Sequence, residues 1–433
     1  MTIAELFQLR KNDPRWNTSY PLHPSDWEDY RVPGSLPFEH DSRLSFYIHI
    51  PFCKQLCSFC EYTRMICPDE SVQREYLFVI AHDIELFLQK YPDITLLGFD
   101  IGGGTPTALS EKNFALLMQI YQTAISGLKM ADNYEPSLEG TFNTLSEQKL
   151  DDMAKMGIHR LSLGVQSSCN AVLSQHQRGN SSEAMMSSWL KKAWDKGVKK
   201  VNLDFMYGLK GQNESTIQQD LELIGRLQPQ QVTLYELRTN MISAEETFTK
   251  EELYAQYVHY FDGLLAMGYK SRFGQNTFSV DAADEGVSSY LRERMLNGAA
   301  YKGFGMAAQS MSSSGIAYNV GKLESVPQKE LRLEGYPELF TYLLPSNELA
   351  SKYMAISAYN GSFSINRLKD LGVSDNSLNE ILDFCMGEGL LYKGDSDRVF
   401  VSRKGFVHYG ALFSLFYPTQ FGQKASLIAL ERG

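Results

Sequence analysis

Between residues 44 and 248, short apolar strands alternate with longer amphipathic segments, and no other feature restricts the fold of this chain as much. The candidate strands are LSFYIHI (44–50), ITLLGFDI (94–101), SLEGTFN (137–143), HRLSLGV (159–165), KKVNLDFM (199–206) and QVTLYEL (231–237). All are rich in β-branched or aromatic residues. The segments between them carry apolar residues three and four apart, and several open on Ser or Asn and close near Gly or Pro, as helices do. Repeated βα units build a parallel sheet, closed or partly closed, with helices outside. Functional groups on such a sheet collect at the C-terminal ends of the strands.

The alternation weakens beyond residue 249. KEELYAQYVHYFDGLLAMGY reads as a helix, and YKGFGMAAQSMSSSG as a Gly- and Ser-rich crossing. From Pro345 the pattern is helix, helix, helix and a small hairpin, the order of a winged-helix-like module. The expected organisation is an N-terminal extension (1–43), a partial barrel (44–248), an accessory or substrate region (249–344) and the C-terminal module (345–433).

A net charge of −10 over 433 residues, with no basic recognition helix in the C-terminal module, argues against a nucleic acid partner. That module is expected to pack or to act as a lid. No run approaches the roughly 20 apolar residues of a membrane span, and MTIAELFQLRKNDPRW has no apolar segment of signal-peptide kind. A cytoplasmic location is expected, and in a reducing compartment clustered cysteines are metal ligands or redox thiols more often than disulfides.

Three of the six cysteines, Cys53, Cys57 and Cys60, fall in FYIHIPFCKQLCSFCEYTRM, directly behind the first strand. A structural zinc site takes four ligands, and no partner CxxC or HxxxH pair is evident. A fully protein-ligated iron–sulfur cluster also takes four. Three thiolates leave one metal corner open. Cys67 is available as a fourth ligand but reads as a surface thiol, and Cys169 and Cys385 lie in helical patterns as small buried apolar residues.

The spacing of these cysteines at the end of the first strand resembles the radical S-adenosylmethionine (SAM) superfamily. YIHIPFC, GGGTPT, RLSLGVQS and NLDFMYGL stand in the order found in oxygen-independent coproporphyrinogen III oxidase and its relatives. Those relatives include heme chaperones, heme-degrading enzymes and a class of radical SAM methyltransferases. The likeness covers roughly residues 44–310. It implies an α/β fold with a partial TIM-type (β/α)6 radical SAM barrel and a C-terminal accessory domain. Cys53, Cys57 and Cys60 would hold a [4Fe–4S] cluster whose open iron binds SAM. By the same resemblance Tyr47, Phe59, Gly103, Gly104, Thr105, Glu139, Gln166, Arg178 and Asp204 surround the cluster and SAM. One or two SAM molecules, a small-molecule substrate and an external one-electron donor such as flavodoxin or ferredoxin are implied with them.

The residues also have readings of their own. GGGTPT can be a tight βα turn, or a place where glycines let backbone amides approach a ligand and Thr105 adds a hydroxyl. Glu139 inside an apolar strand needs a partner if buried. Gln166 and Asp204 can equally satisfy hydrogen bonds within the barrel, and Tyr47 and Phe59 can be core.

Three positions depart from the oxidase pattern. Tyr62 stands where the oxidase has a further cysteine, Arg238 in LRTN stands in place of a Tyr-Ala-His stretch, and Gln309 replaces an apolar contact. The family chemistry is therefore expected without the propionate decarboxylation itself. Arg238 and Tyr47 are the candidate catalytic residues, with Gln309 beside a second SAM. The leading expectation is an enzyme acting on a tetrapyrrole-like or other conjugated aromatic substrate by oxidation, ring opening or methyl transfer. A non-catalytic heme carrier, with His49 or His40 as heme ligand, and a winged-helix regulator are the competing readings.

Overall fold

The computed structural model describes residues 2–11, 20–21, 24–237, 248–321, 338–394 and 396–417. All six expected strands form: β1 (Arg43–Ile50), β2 (Thr95–Gly103), β3 (Pro136–Gly140), β4 (Arg160–Gln166), β5 (Lys200–Tyr207) and β6 (Gln231–Glu236). They pair in chain order and in parallel. The crossovers carry helices α1 (Glu70–Lys90), α2 (Glu111–Ile125), α3 (Glu147–Lys155), α4 (Glu183–Asp195) and α5 (Glu214–Leu227). Four of these start at a polar cap: the side chains of Ser110, Ser146, Ser182 and Asn213 each accept a first-turn amide, satisfying donors that a helix start leaves open.

Side chains on a strand alternate between faces, and here the two faces differ in kind. Phe46, Ile48, Phe99, Leu138, Leu161, Leu163, Leu203 and Val232 are fully buried on the helix side. The opposite face carries Ser45, Tyr47, Asp100, Ser137, Glu139, Arg160, Ser162, Asn202, Asp204, Gln231 and Thr233. Arg160 on β4 donates from Nε to Gln231 Oε1 on β6 at 2.9 Å and from Nη1 to Ser137 Oγ on β3 at 2.7 Å. In a flat sheet β3 and β6 would stand about 14 Å apart, so one side chain bridging them requires the sheet to curl around its polar face.

The chain between 300 and 320 is a set of strands and not the expected Gly- and Ser-rich crossing. β7 (Ala300–Phe304) pairs in parallel with the free edge of β1. β8 (Gln309–Ser312), β9 (Gly315–Asn319) and β10 (Glu338–Leu343) continue outward as antiparallel neighbours. The glycines misled the sequence reading because they sit in the strands for close packing: a Cβ at Gly303 would lie 2.4 Å from the Gln309 carbonyl oxygen, and one at Gly315 1.9 Å from that of Tyr342.

Helix α6 (Lys250–Ala266) packs beside α5, and helix α7 (Ser289–Leu296) packs against β2 and β1. α7 fits because β2 has no side chain at Gly98, where a Cβ would lie 2.3 Å from the Tyr290 amide nitrogen. Its cap residue Ser288 also donates to Asp100 Oδ2 at 2.6 Å. The C-terminal segment runs helix Ser346–Ser357, strand Ser362–Ser364, helices Ile365–Asp370 and Asp375–Gly387, and the hairpin Leu391–Lys393 with Arg398–Val401. Its three strands form a separate sheet. The N-terminal helix Ile3–Lys11 lies on this segment, with Phe7 edge-on to Phe384 at 5.8 Å, and Trp27 Nε1 donates to the buried Glu348 at 2.9 Å.

The fit at Gly98 can be tested directly. Gly98→Ala forces a methyl group into the backbone of α7 and is expected to cost about 1–3 kcal/mol, read as a lower denaturation midpoint. An unchanged midpoint would mean that α7 does not seat on β2 in this way.

Candidate active site

The cysteine segment leaves β1 through Pro51 and is clasped at its base. Phe52–Cys53 pairs with Met65–Ile66, with Met65 N donating to Pro51 O and Cys67 N to Cys53 O, both at 2.8 Å. Its tip is tied to the loops beyond β4 and β5. Ser58 N donates to the His176 carbonyl at 3.1 Å, and the buried His176 ring bridges Ser58 Oγ (3.2 Å) and the Lys210 amide (3.1 Å). Because the Lys210 amide can only donate, His176 Nε2 accepts and Nδ1–H faces Ser58. Arg64 closes the loop, donating from Nη2 to Cys57 O at 2.7 Å.

Cys53 and Cys57 are buried and Cys60 is partly so, and all are free thiols. Burial pushes the Cys53 and Cys60 thiols up, opposed at Cys53 by the Thr105 hydroxyl and the Arg64 charge and at Cys60 by a Tyr62 backbone hydrogen bond and Arg64. Thr105 Oγ1 points at Cys53 Sγ (3.6 Å), and Arg178 Nη1 at Cys57 Sγ (3.5 Å). Among the described residues, no three His, Cys, Asp or Glu side chains gather closely enough for a single metal ion. Three thiols in one short loop, with the Arg64 and Arg178 guanidiniums beside them to offset the negative charge of thiolates, are donors of the kind a sulfur-ligated cluster takes. Cys67 is half-buried and not a surface thiol. Gln73 Nε2 donates to its sulfur at 3.3 Å, and the thiol donates to the Ala108 carbonyl at 3.5 Å.

The GGGTPT run crosses directly behind the cysteines. Its amides are already engaged: Gly103 N donates to Glu139 Oε2 (3.1 Å), Gly104 N to Ile50 O (2.8 Å) and Thr105 N to Phe52 O (2.8 Å). What the glycines provide here is the absence of side chains. A Cβ at Gly102 would lie 2.5 Å from the Glu139 carboxylate, one at Gly103 2.6 Å from the His49 ring, and one at Gly104 2.7 Å from Pro51. Gly103 also has φ +110°, a conformation L side chains rarely adopt. Lys149 sits behind this turn and donates to the carbonyls of Thr107 (2.6 Å) and Thr144 (3.0 Å).

Glu139 and Asp204 project from β3 and β5 into the curl of the sheet. Glu139 is surrounded by protein yet exposed to the space within the curl, and Asp204 is partly exposed. Asp204 accepts from Ser162 Oγ (3.1 Å) and Asn202 Nδ2 (2.8 Å). Loss of hydration, followed by the nearby Asp204 charge, pushes the Glu139 carboxyl up to about 8. Asp204 rises to about 6, and Asp100, deeper in the barrel, to about 7, in both cases mainly by burial.

Gln166 ends β4 with φ +73°, a left-handed conformation uncommon for a residue with a side chain. The loop after it is fixed by Asp220, which accepts from Ser168 N and from the hydroxyls of Ser167, Ser168 and Tyr260. Gly164 leaves room for the Gln166 and Arg178 side chains, which a Cβ there would meet at 2.8 and 3.1 Å.

Tyr47 stacks on Tyr290 (ring centres 5.7 Å apart) and its hydroxyl lies 3.4 Å from His49 Nδ1. The other His49 nitrogen bonds to the Thr63 carbonyl at 2.9 Å, so both nitrogens of this buried ring are engaged, and burial lowers its pKa to about 4. His40 is exposed. Phe59 packs on a small apolar group of Val172, Met206, Leu209 and Leu237. Gln309 lies on β8, where its Oε1 accepts from Arg294 Nη2 (3.0 Å) and Tyr301 Oη (2.6 Å). Arg238 lies outside the described residues.

The structure thus brings the three cysteines, Thr105, Gln166, Arg178, Glu139 and Asp204 to one end of the barrel. Sequence reasoning missed Arg64, Arg160, Lys149, His176, Asp220 and Arg294. The one available signal was charge: Arg160 opens an otherwise apolar strand, where an unpaired charge is costly. A cleft of about 340 Å³, lined by Asp132, Glu135, Lys200, Asp284 and Arg292 among others, lies at the opposite end of the strands from the cysteines.

Comparison with known proteins places this geometry. Residues 47–224 match the model of the Radical SAM superfamily. The heme chaperone HemW of Haemophilus influenzae is 31% identical over 199 residues, 45% of this chain and 51% of that protein. The oxygen-independent coproporphyrinogen III oxidase of Salmonella typhimurium is 27% identical over 236 residues, 54% of this chain and 50% of that protein. The matched segments span about half the length of these curated relatives. Among solved structures, coproporphyrinogen III oxidase (HemN) from Escherichia coli, a radical SAM enzyme, superimposes with a TM-score of 0.71 over 87% of this chain and 90% of that one, at 20% identity. That likeness is one of fold. No helix among the described residues is long and apolar enough to cross a membrane.

The buried acids give the protein a pH signature. Asp100 holds its proton to about pH 7 in the fold but releases it near 3.8, the ordinary value for an aspartate, when unfolded. Between these values the native state binds the extra proton, so stability falls as pH rises. Asp100→Asn should flatten that fall by roughly 3 kcal/mol between pH 4 and 7. Chemical denaturation at several pH values would show it, and parallel curves for the two proteins would refute it.

Proposed function

Because the chain belongs to the radical SAM superfamily, in the branch of HemN- and HemW-like proteins, we propose that it is an enzyme that uses a [4Fe–4S] cluster to cleave SAM and acts on a tetrapyrrole-like or other conjugated aromatic substrate. The observation that carries this is the placement of Cys53, Cys57 and Cys60 at the mouth of a polar, acid-lined barrel, with Arg178 donating to the Cys57 sulfur. Cys53, Cys57 and Cys60 are the proposed cluster ligands. When bound, the reduced cluster and SAM together supply a 5′-deoxyadenosyl radical, which abstracts hydrogen from the substrate.

The chain's own groups then have defined tasks. Arg64 and Arg178 offset the charge of the thiolates. Glu139 and Asp204 present carboxyls to a ligand that carries both a sulfonium and an ammonium charge, and its arrival favours their ionised forms. Gln166 and Gly103, each locked at positive φ, border the same space. Tyr47, Phe59, Gly104 and Thr105 complete the proposed surroundings of SAM, and the curled sheet limits access of water. Arg238 remains a proposed substrate contact, and Gln309 a proposed neighbour of a second SAM. An external flavodoxin or ferredoxin is the proposed source of the electron.

The similarity to HemW favours a second reading, a heme carrier on the same fold. The engaged, buried His49 is a poor candidate for its iron ligand. Assay of the anaerobically reconstituted protein separates the readings. 5′-Deoxyadenosine formation supports the enzyme, with S-adenosylhomocysteine in equal amount if methyl is transferred. Stoichiometric heme binding without SAM cleavage supports the carrier.

Replacing Cys53, Cys57 and Cys60 together by Ala should abolish the iron–sulfur absorbance and SAM cleavage, whereas Cys67→Ala should retain both. A triple variant that keeps its full iron and sulfide would end the proposal. Glu139→Ala and Asp204→Ala should each weaken SAM binding about tenfold or more with iron content near wild type, as measured by equilibrium dialysis beside metal analysis. Unchanged affinity in both would confine these acids to a structural role.

A further inference from the structure

The inward face of the barrel does not stop at β1. Tyr301 lies opposite Ser45 and Gly303 opposite Tyr47 across the β7–β1 pair, and Gln309 lies opposite Tyr318 across β8 and β9. The polar side of the sheet therefore continues onto the strands beyond, and α7 lays Arg294 against it. The guanidinium donates from Nη1 to Tyr290 Oη (3.2 Å) and from Nη2 to Gln309 Oε1 (3.0 Å), and its carbon stands 4.5 Å from the centre of the Tyr301 ring. Its Nε is buried and makes no hydrogen bond.

No carboxylate pairs with this group among the described residues; the nearby groups that act on its charge are Tyr301, Tyr290 and Tyr62. Arginine is seldom withdrawn from water without a partner. Tyrosine faces and a neutral amide offset only part of the loss of hydration. Arg294 is nonetheless partly accessible, and what it faces is shared with the cysteine loop. Tyr62, 57% exposed, interacts electrostatically with Arg294, with Tyr47 on β1 and with Tyr235 on β6. The exposed Tyr62 ring of the cysteine loop is thus close enough to Arg294 and to the barrel tyrosines to act on their charges.

We propose that Arg294 is the specificity-determining residue of the active site: it binds a carboxylate of a flat conjugated acid whose rings lie beside Tyr47 and Tyr62. This rests on the enzyme reading above and adds to it the substrate's charge and its point of attachment. A guanidinium suits a carboxylate because its planar fork matches the two oxygens, and tyrosine faces suit a planar π-system. The same chemistry is available from the methionine carboxylate of a second SAM. The aromatic setting assigns it to the organic substrate.

Two probe pairs test the assignment on the anaerobically reconstituted full chain, by fluorescence or ligand-observed NMR titration: deuteroporphyrin IX against its dimethyl ester, and 2-naphthoate against 2-naphthamide. Two variants are compared with wild type. Arg294→Lys keeps the charge and loses the fork. Gln309→Glu is isosteric and supplies an internal carboxylate to the same guanidinium. The wild type should prefer the acid of at least one pair, and each variant should weaken that acid about tenfold or more while leaving the ester or amide unchanged. Preference for naphthoate alone, lost in both variants, supports Arg294 as the carboxylate site and speaks against a tetrapyrrole substrate. A wild type that binds none of the four probes, or does not favour the acids, overturns the proposal, as do variants that bind the acids undiminished. A fall from two bound SAM to one in Arg294→Lys, with probe binding unchanged, overturns the assignment to the organic substrate.

Discussion

The barrel is organised around one deeply buried cation. Arg160 lowers the pKa values of Asp100, Glu139 and Asp204 alike, yet burial keeps all three raised. One guanidinium offsets only part of the cost of taking three carboxyls out of water. Arg160 also links β3, β4 and β6 through Ser137 and Gln231. The same residue thus sets both the curvature of the sheet and its internal charge. A (β/α) barrel interior is ordinarily packed with branched apolar side chains; here hydroxyls, amides and carboxyls stand in that place, a lining suited to a charged ligand.

The cysteine loop depends on the same strands from the other side. Its base is held by backbone pairing with Met65–Ile66 and its tip by His176, while the glycine run packs so closely behind it that side chains there would collide with Pro51, His49 and Glu139. The acids and the sulfur ligands are therefore positioned by one another. Gly102 makes room for Glu139, Glu139 holds the Gly103 amide, and Gly103 leaves room for the His49 ring, whose nitrogen bonds Thr63 just past the third cysteine.

Local pattern and long-range geometry were unequally legible in the sequence. The six parallel strands were readable because apolar alternation and polar helix caps are properties of neighbours along the chain. β7, β8 and β9 were not, because YKGFGMAAQSMSSSG has the composition of a loop and becomes strand only by pairing with β1, some 250 residues earlier. Glu139, Gln166, Arg178 and Asp204 stood out through the family resemblance, and the structure gathers them. The purpose of the glycines did not: a sequence cannot reveal that the amides are already bonded within the fold. Arg294 was invisible because what sets it apart, the lack of a carboxylate partner among the described residues, is a property of its surroundings.

The pairing of β1 with β7 has a consequence for how the molecule is made. β1 is formed by residues 43–50, but one of its edges is covered only by residues 300–304. The helix Ile3–Lys11 rests on elements near residues 384 and 408, and Arg10 reaches the Ser414 carbonyl. During synthesis the first strand, paired with β2 on one side, must therefore wait with its other edge open, and the first helix undocked, until most of the chain has left the ribosome. The thiols of Cys53, Cys57 and Cys60 emerge in that interval beside an open strand edge. Protection of that segment while translation continues is thus a demand of the topology itself.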